Sequence, residues 1–413
     1  MSRSALLSVT VLGVAMSIPQ IVALSLLAGM PVEAGVYLSL LPAIAAALVS
    51  GTATALSGPN TAASMVLFAA ASAVAVPGSP DYLEYVAMVT LFAGLFQLLF
   101  AVGRVGNLFL SMPAPVVSGI VAGTGVLILG QQIGATLGVP TSGNGFVENL
   151  LQAVYYDRIN WATAAVVAVA VLSGVLLRRH RPWAKYSLLA ALVAGCAAAA
   201  VIDGLVGAER ADLEYLGRLS VRPWLLTWPF AANLDWSEIV AALQAGFAVA
   251  VVGALQALVI AKTLALRQGA VLPANRDLLG QAVMNLLAPF VCGYAGATSF
   301  NRTYAHLESG ATTRWHGVAV LAAAFLAILV FPALLAKTSL AAVTGVLILV
   351  GWSLATGLRF EDYRRPRAAL ELIAAVLLTV TAGVADAILG GVLVSIYLRS
   401  VAAAAPAAAH RSA

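Results

Sequence analysis

Apolar runs of membrane length recur along almost the whole chain, near residues 6–28, 34–50, 58–75, 84–103, 112–134, 159–177, 185–205, 238–263, 278–293, 297–311, 315–336, 338–357, 367–383 and 385–402. Bilayer hydrocarbon is about 30 Å thick, and a helix needs roughly 20 apolar residues to cross it. Fourteen such runs fit into 413 residues only if most connections are short, so the expected fold is an all-α polytopic membrane protein. Composition agrees: 62% of the residues are hydrophobic and 9% are charged, where a soluble domain carries about 25% charged residues. That balance excludes a cytosolic, secreted or nucleic-acid-binding protein. The opening Met1-Ser2-Arg3-Ser4 resembles a signal peptide in charge, but Pro19 and Gln20 interrupt the run behind it, so it reads as a retained first span. Cys196 and Cys292 stand alone in apolar runs with no C-x-x-C spacing, which predicts small buried side chains and neither a disulfide nor a metal site.

An even number of spans puts both termini on one side. Arg178-Arg179-His180-Arg181 and Arg364-Arg365-Pro366-Arg367 then fall on that side too, and the excess of positive charge marks it as cytoplasmic. Of the 22 basic residues, Arg302 lies within a span and only Arg158, Arg210, Arg218, Arg222 and Lys337 fall on the opposite side, whereas 11 of the 17 acidic residues lie there. The expected location is therefore the cytoplasmic (inner or plasma) membrane, with both ends inside. The longest connection, 206–237, contains Trp224, Trp228 and Trp236 and divides the chain into near-equal halves; its aromatics suit an interfacial segment.

Two segments are poor membrane helices, and each is third in its half: Ser57-Gly58-Pro59-Asn60-Thr61-Ala62-Ala63-Ser64, and Cys292 to Thr303. Gly and Pro punctuation followed by hydroxyl residues suits a helix that starts inside the membrane. Interrupted spans at matching places in two halves point to the binding site of an inverted-repeat transporter. Helix N-termini present unpaired N–H groups and partial positive charge, so two of them meeting near the midplane favour an anion. Arg302 strengthens that expectation, because an arginine at membrane depth must face water, a partner or a ligand; its alternative role is pairing with Glu308 or capping a helix. Thr298, Ser299 and Asn301 are candidate neutral donors beside it, as are Asn60, Thr61 and Ser64 from the other segment, each of which could equally cap its own helix.

The chain resembles the sulfate permease (SulP, solute carrier 26) anion transporters over essentially all of its membrane portion. The resemblance rests on Pro19-Gln20, Ala28-Gly29-Met30-Pro31 and Gly35-Val36-Tyr37, then Ser57 to Ala62, Ala261-Lys262-Thr263-Leu264-Ala265, Asn275 to Gln281, Asn301-Arg302-Thr303 and Ser309 to Thr313, in that order. It implies a seven-plus-seven inverted repeat with a core domain in 1–110 and 238–337 and a gate domain in 111–205 and 338–402, joined by 206–237 and followed by a tail, 403–413. It also implies half-helices in spans 3 and 10, an anion held between their starts, and an elevator-like movement of core against gate. Gln20 matches a position lining that site, with Leu24 one turn on as its apolar wall and Phe300 among the residues at the start of span 10. No cofactor is implied; the partners are a small anion, the bilayer and, through gate contacts, a second copy of the chain.

Three departures qualify the likeness. Relatives usually carry a cytoplasmic STAS domain after the last span, and none is expected here. The loop before span 3 reads Gly51-Thr52-Ala53-Thr54-Ala55 where relatives usually place a basic or aromatic residue. Span 8 has Gln256 where many bacterial relatives have a carboxylate. Glutamine cannot titrate, so coupling to H⁺ or Na⁺ through this position is expected to be absent, favouring exchange or uniport of an anion such as sulfate, bicarbonate, chloride or a dicarboxylate. Glu371 and Asp386 read as structural. Rival readings are a nucleobase carrier of the same architecture, for which Gln256 and Arg302 are poor ligands, and an anion channel. An enzyme is not expected, because His180, His316 and His410 read as loop or tail residues and His306 as isolated.

Overall fold

The computed structural model describes residues 3–106, 113–139, 151–152, 155, 159–180, 183–217, 236–268, 273–299, 302–303, 306–307, 310–357, 366–382 and 390. The helices are α1 (Arg3–Leu27), α2 (Val32–Ser39), α3 (Leu41–Val49), α4 (Thr61–Ser72), α5 (Pro80–Val102), α6 (Ala114–Leu137), α7 (Trp161–Arg179) and α8 (Ser187–Val206). After the long connection come α9 (Trp236–Gln268), α10 (Ala274–Leu287), α11 (Arg314–Val330), α12 (Leu340–Thr356) and α13 (Pro366–Ala382), with a few shorter helical turns between them. Two short strands, β1 (Ser57–Gly58) and β2 (Ala297–Thr298), precede the points where spans 3 and 10 were expected to become helical. Helical residues occupy every expected run, although of the last, 385–402, only Gly390 is among the described residues.

Local chemistry sets the boundaries. Ser79 Oγ accepts from Tyr82 N at 3.2 Å and Pro80 opens α5, a cap followed by a residue whose missing N–H needs no partner. The second span divides at Leu40 into α2 and α3, because Pro42 cannot donate into the preceding turn. Among the described residues, six helices are long and apolar enough to cross a membrane. Leu99, Leu172, Leu205 and Leu370 are exposed on helix surfaces, the arrangement expected when lipid replaces water as solvent.

In one group α9 and α10 pack on α5, α10 on α3, and α11 on α1; in the other α12 and α13 pack on α6, and α8 packs on α7 and α12. Small residues bring the backbones close, since lipid supplies no hydrophobic drive between helices. A Cβ on Gly125 of α6 would lie 2.5 Å from Ala355 N and 2.6 Å from Gly351 O of α12.

The junction of two broken spans

β1 and β2 pair antiparallel, Ser57 opposite Thr298 and Gly58 opposite Ala297. Two residues per strand make few ladder bonds, so side chains supply the rest of the junction. Ser299 N donates to Leu56 O at 2.9 Å and Leu56 N to Thr303 Oγ1 at 3.0 Å. Ser57 Oγ and Thr298 Oγ1 are 3.1 Å apart, and Gln281 of α10 donates from Nε2 to both, at 2.9 and 3.1 Å. Asn285, one turn further, holds the Gly296 backbone on both sides, with Gly296 N to Oδ1 at 2.9 Å and Nδ2 to Gly296 O at 3.1 Å, and donates to Gln97 Oε1 at 2.8 Å. Backbone that leaves regular structure inside a membrane must find such partners.

Asn60 is committed to this framework. Its Oδ1 accepts from Ala62 N and Ala63 N at 3.1 and 3.3 Å, capping α4, while its Nδ2 donates to Thr298 O at 2.9 Å. Thr61 is the first residue of α4 and is half-buried. Ser64, Gln20 and Leu24 are buried. Ser299 is buried too, and its Oγ accepts weakly from Arg302 N at 3.5 Å. Phe300 and Asn301 lie outside the described residues.

Arg302 is 2% exposed and donates from Nη2 to Pro59 O at 2.6 Å. Its Nε and Nη1, together with Gln20 Nε2, Ser64 Oγ and Gln256 Oε1, are buried without a hydrogen-bond partner among the described residues. The guanidinium lies against Gly58, whose φ is +143° and whose Cβ, were there one, would sit 2.8 Å from Nη1. Only glycine adopts that backbone without strain and leaves room for the cation. Gln256 lies three residues along α9 from Gly253, where an added Cβ would be 3.5 Å from Ala297 Cβ, and so shares much of the α9 face that meets β2.

Sequence reasoning gave Gln281 and Asn285 no role, although Gln281 ends one of the motifs behind the resemblance. The isolated-histidine reading is corrected: His316 is not a loop residue but the third residue of α11, its Nδ1 accepts from Thr312 N and Thr313 N at 3.1 and 3.2 Å, and its ring centroid is 6.5 Å from that of buried His306.

Between α1 and α4 on one side and α6 and α12 on the other lies a cavity of about 620 Å³. Leu27, Phe68, Gln132 and Thr344 contribute to its lining. Phe68 follows Ser64 by one turn of α4 and Leu27 follows Leu24 by about one turn of α1, so the cavity lies beside the junction, towards the end at which the Gly207–Gly217 segment runs. That segment is tied to the residues before α12 by Leu216 N to Thr338 O at 2.9 Å and Leu340 N to Glu214 O at 3.0 Å. Tyr215 Oη donates to Asp203 Oδ2 at 2.5 Å, and burial, followed by that bond, pushes the Tyr215 phenol up to about 12.

A multi-pass helical membrane protein in which two broken spans meet through a short antiparallel strand pair has the architecture of a secondary transporter. The chain belongs to the sulfate permease family, whose pattern it matches over residues 5–377. It is 26% identical over 383 residues to a probable sulfate transporter of Mycobacterium tuberculosis (strain H37Rv), covering 92% of this chain and 66% of that protein. It is 26% identical over 388 residues to the bicarbonate transporter BicA of Picosynechococcus sp., covering 92% and 67%. The chain thus spans about two thirds of the length of these curated relatives. Its fold superposes on the transmembrane domain of a cyanobacterial BicA with a TM-score of 0.81 at 22% identity, over 94% of this chain and 98% of that one. Murine Slc26a9, an anion transporter in the inward-facing state, gives 0.82 at 17% identity, over 96% and 68%.

Proposed function

We propose that the chain carries a small anion across the cytoplasmic membrane, holding it between the β1–α4 start and the segment after β2. Arg302 carries this reading. It is a buried cation fastened by one nitrogen to Pro59 O, with Nε and Nη1 without a hydrogen-bond partner among the described residues. Fixed donors in a low-dielectric site strengthen any interaction with an anion, and a guanidinium offers two of them in a planar fork. Gln20, Leu24, Ser64 and Gln256, with Thr298, Ser299, Phe300 and Asn301 around the start of span 10, form the rest of the proposed site; Asn60 and Thr61 shape it from the α4 side.

In this reading 1–110 and 238–337 form a core that slides against a gate of 111–205 and 338–402, both termini are cytoplasmic, and the halves are inverted repeats. The antiparallel meeting of β1 with β2 and the packing of α6, α7, α8, α12 and α13 mainly against one another support it. Gln256 favours exchange or uniport over cation coupling. The test is counterflow uptake of labelled sulfate, bicarbonate, chloride and succinate into proteoliposomes by wild type and Arg302→Ala. Uptake of one anion that collapses in the variant supports the site and names its cargo; full activity without Arg302 refutes it.

A further inference from the structure

The cavity beside the junction combines an amide with a negative rim. Gln132 is 7% exposed, and the bond its residue receives, from Thr136 Oγ1 at 2.6 Å, goes to the backbone carbonyl, which leaves the side-chain amide to the cavity that it lines. Asp212 and Glu214 line the same cavity, both exposed, and among the described residues its lining contains no lysine or arginine. Their backbones are pinned: Asn160 Nδ2 donates to Asp212 O at 3.1 Å, and Leu340 N to Glu214 O at 3.0 Å. The two acidic residues are therefore fixtures of the cavity.

We propose that this cavity is the outer antechamber of the anion path and selects by charge, the Gln132 amide receiving the anion while Asp212 and Glu214 hold divalent anions back. The inference rests on the transport reading and narrows its substrate class. Repulsion scales with ligand charge: at about 8 Å in water and low salt, one carboxylate lowers the local concentration of a monovalent anion about 2-fold and of a divalent one about 4-fold. Two carboxylates then disfavour divalent relative to monovalent entry by about 4-fold, an effect that salt screens.

Initial uptake of labelled sulfate and labelled chloride by right-side-out vesicles tests this at about 20 mM and about 500 mM ionic strength. Asp212 has φ +46°, a left-handed conformation that asparagine tolerates, so Asp212→Asn keeps the fold. The Asp212→Asn/Glu214→Gln variant is expected to raise the sulfate-to-chloride ratio of kcat/KM about 4-fold at low ionic strength and less than about 1.5-fold at high. Glu214→Asp, which keeps the charge, should hold the wild-type ratio. Gln132→Ala should lower kcat/KM about 10-fold for both anions without moving their ratio. An unchanged ratio in the neutralised variant, or a change that persists in high salt, overturns the inference while leaving the transport reading intact. A wild type that takes up none of the four anions in proteoliposomes overturns that reading and this inference with it.

Discussion

Arg302 Nη2 donates to the Pro59 carbonyl at 2.6 Å, joining residues 243 positions apart in the chain. The bond orients a cation that would otherwise be costly at membrane depth and leaves Nε and Nη1 to the site. Lysine keeps the charge but not the fork, so it cannot grip Pro59 and present two further nitrogens. Arg302→Lys is expected to raise the anion KM by about 10-fold, and Arg302→Ala to reduce kcat/KM by about 100-fold, as charge-assisted bonds are worth about 1.5–3 kcal/mol each. Concentration-dependent uptake separates the two, and equal KM for wild type and lysine variant would mean that the guanidinium geometry is irrelevant.

Gly58 tests the same relationship from the other strand. Its φ of +143° is open to glycine alone, and an added Cβ would lie 2.8 Å from Arg302 Nη1. Gly58→Ala is expected to displace the guanidinium and abolish uptake while the protein still inserts and purifies as a folded species. Size-exclusion elution together with transport checks this; a fully active alanine variant would contradict the close packing.

Much of the architecture was legible because membrane spans announce themselves by length and apolarity: α5, α7 and α8 lie within a few residues of where the runs placed them. The broken third span was legible from Gly58-Pro59-Asn60, which cannot continue a helix and can begin one. The strand pair was not, because two-residue strands carry no periodicity and their partners, such as Ser57 and Thr298, are distant in sequence. The ligands of Arg302 were equally hidden: the acidic partner considered from sequence, Glu308, lies outside the described residues, and the observed partner is a backbone carbonyl, which no residue pattern records. His316 escaped because the usual capping box ends in Glu or Gln, whereas here the imidazole does that work against Thr313.

Gln281 joins three elements through one amide, donating to Ser57 Oγ and Thr298 Oγ1. Gln281→Leu removes both bonds but leaves the two hydroxyls, 3.1 Å apart, bonded to each other. The expected cost is about 1–3 kcal/mol, read as a thermal transition lower by about 2–4 °C, with a raised anion KM because the crossing is less well held. A lower transition with unchanged KM would make the amide a structural staple with no influence on the site.

Gln256 is where coupling would be built if the chain had it. Its Oε1 is buried, and it lies three residues along α9 from Gly253, whose face meets β2, so a carboxylate here would put a titratable charge near the proposed anion site. When ionised, Gln256→Glu repels an anion at short range in a low dielectric; when protonated, it is close to the glutamine it replaces. Transport by the variant is therefore expected to rise as pH falls, by about 10-fold across its titration, since a factor of 10 corresponds to about 1.4 kcal/mol of repulsion relieved. Wild type should respond little over the same range and should not concentrate anion when a proton gradient is imposed across proteoliposomes. A wild type already driven by that gradient would place coupling elsewhere in the chain, and a variant whose rate ignores pH would mean that position 256 does not face the anion at all.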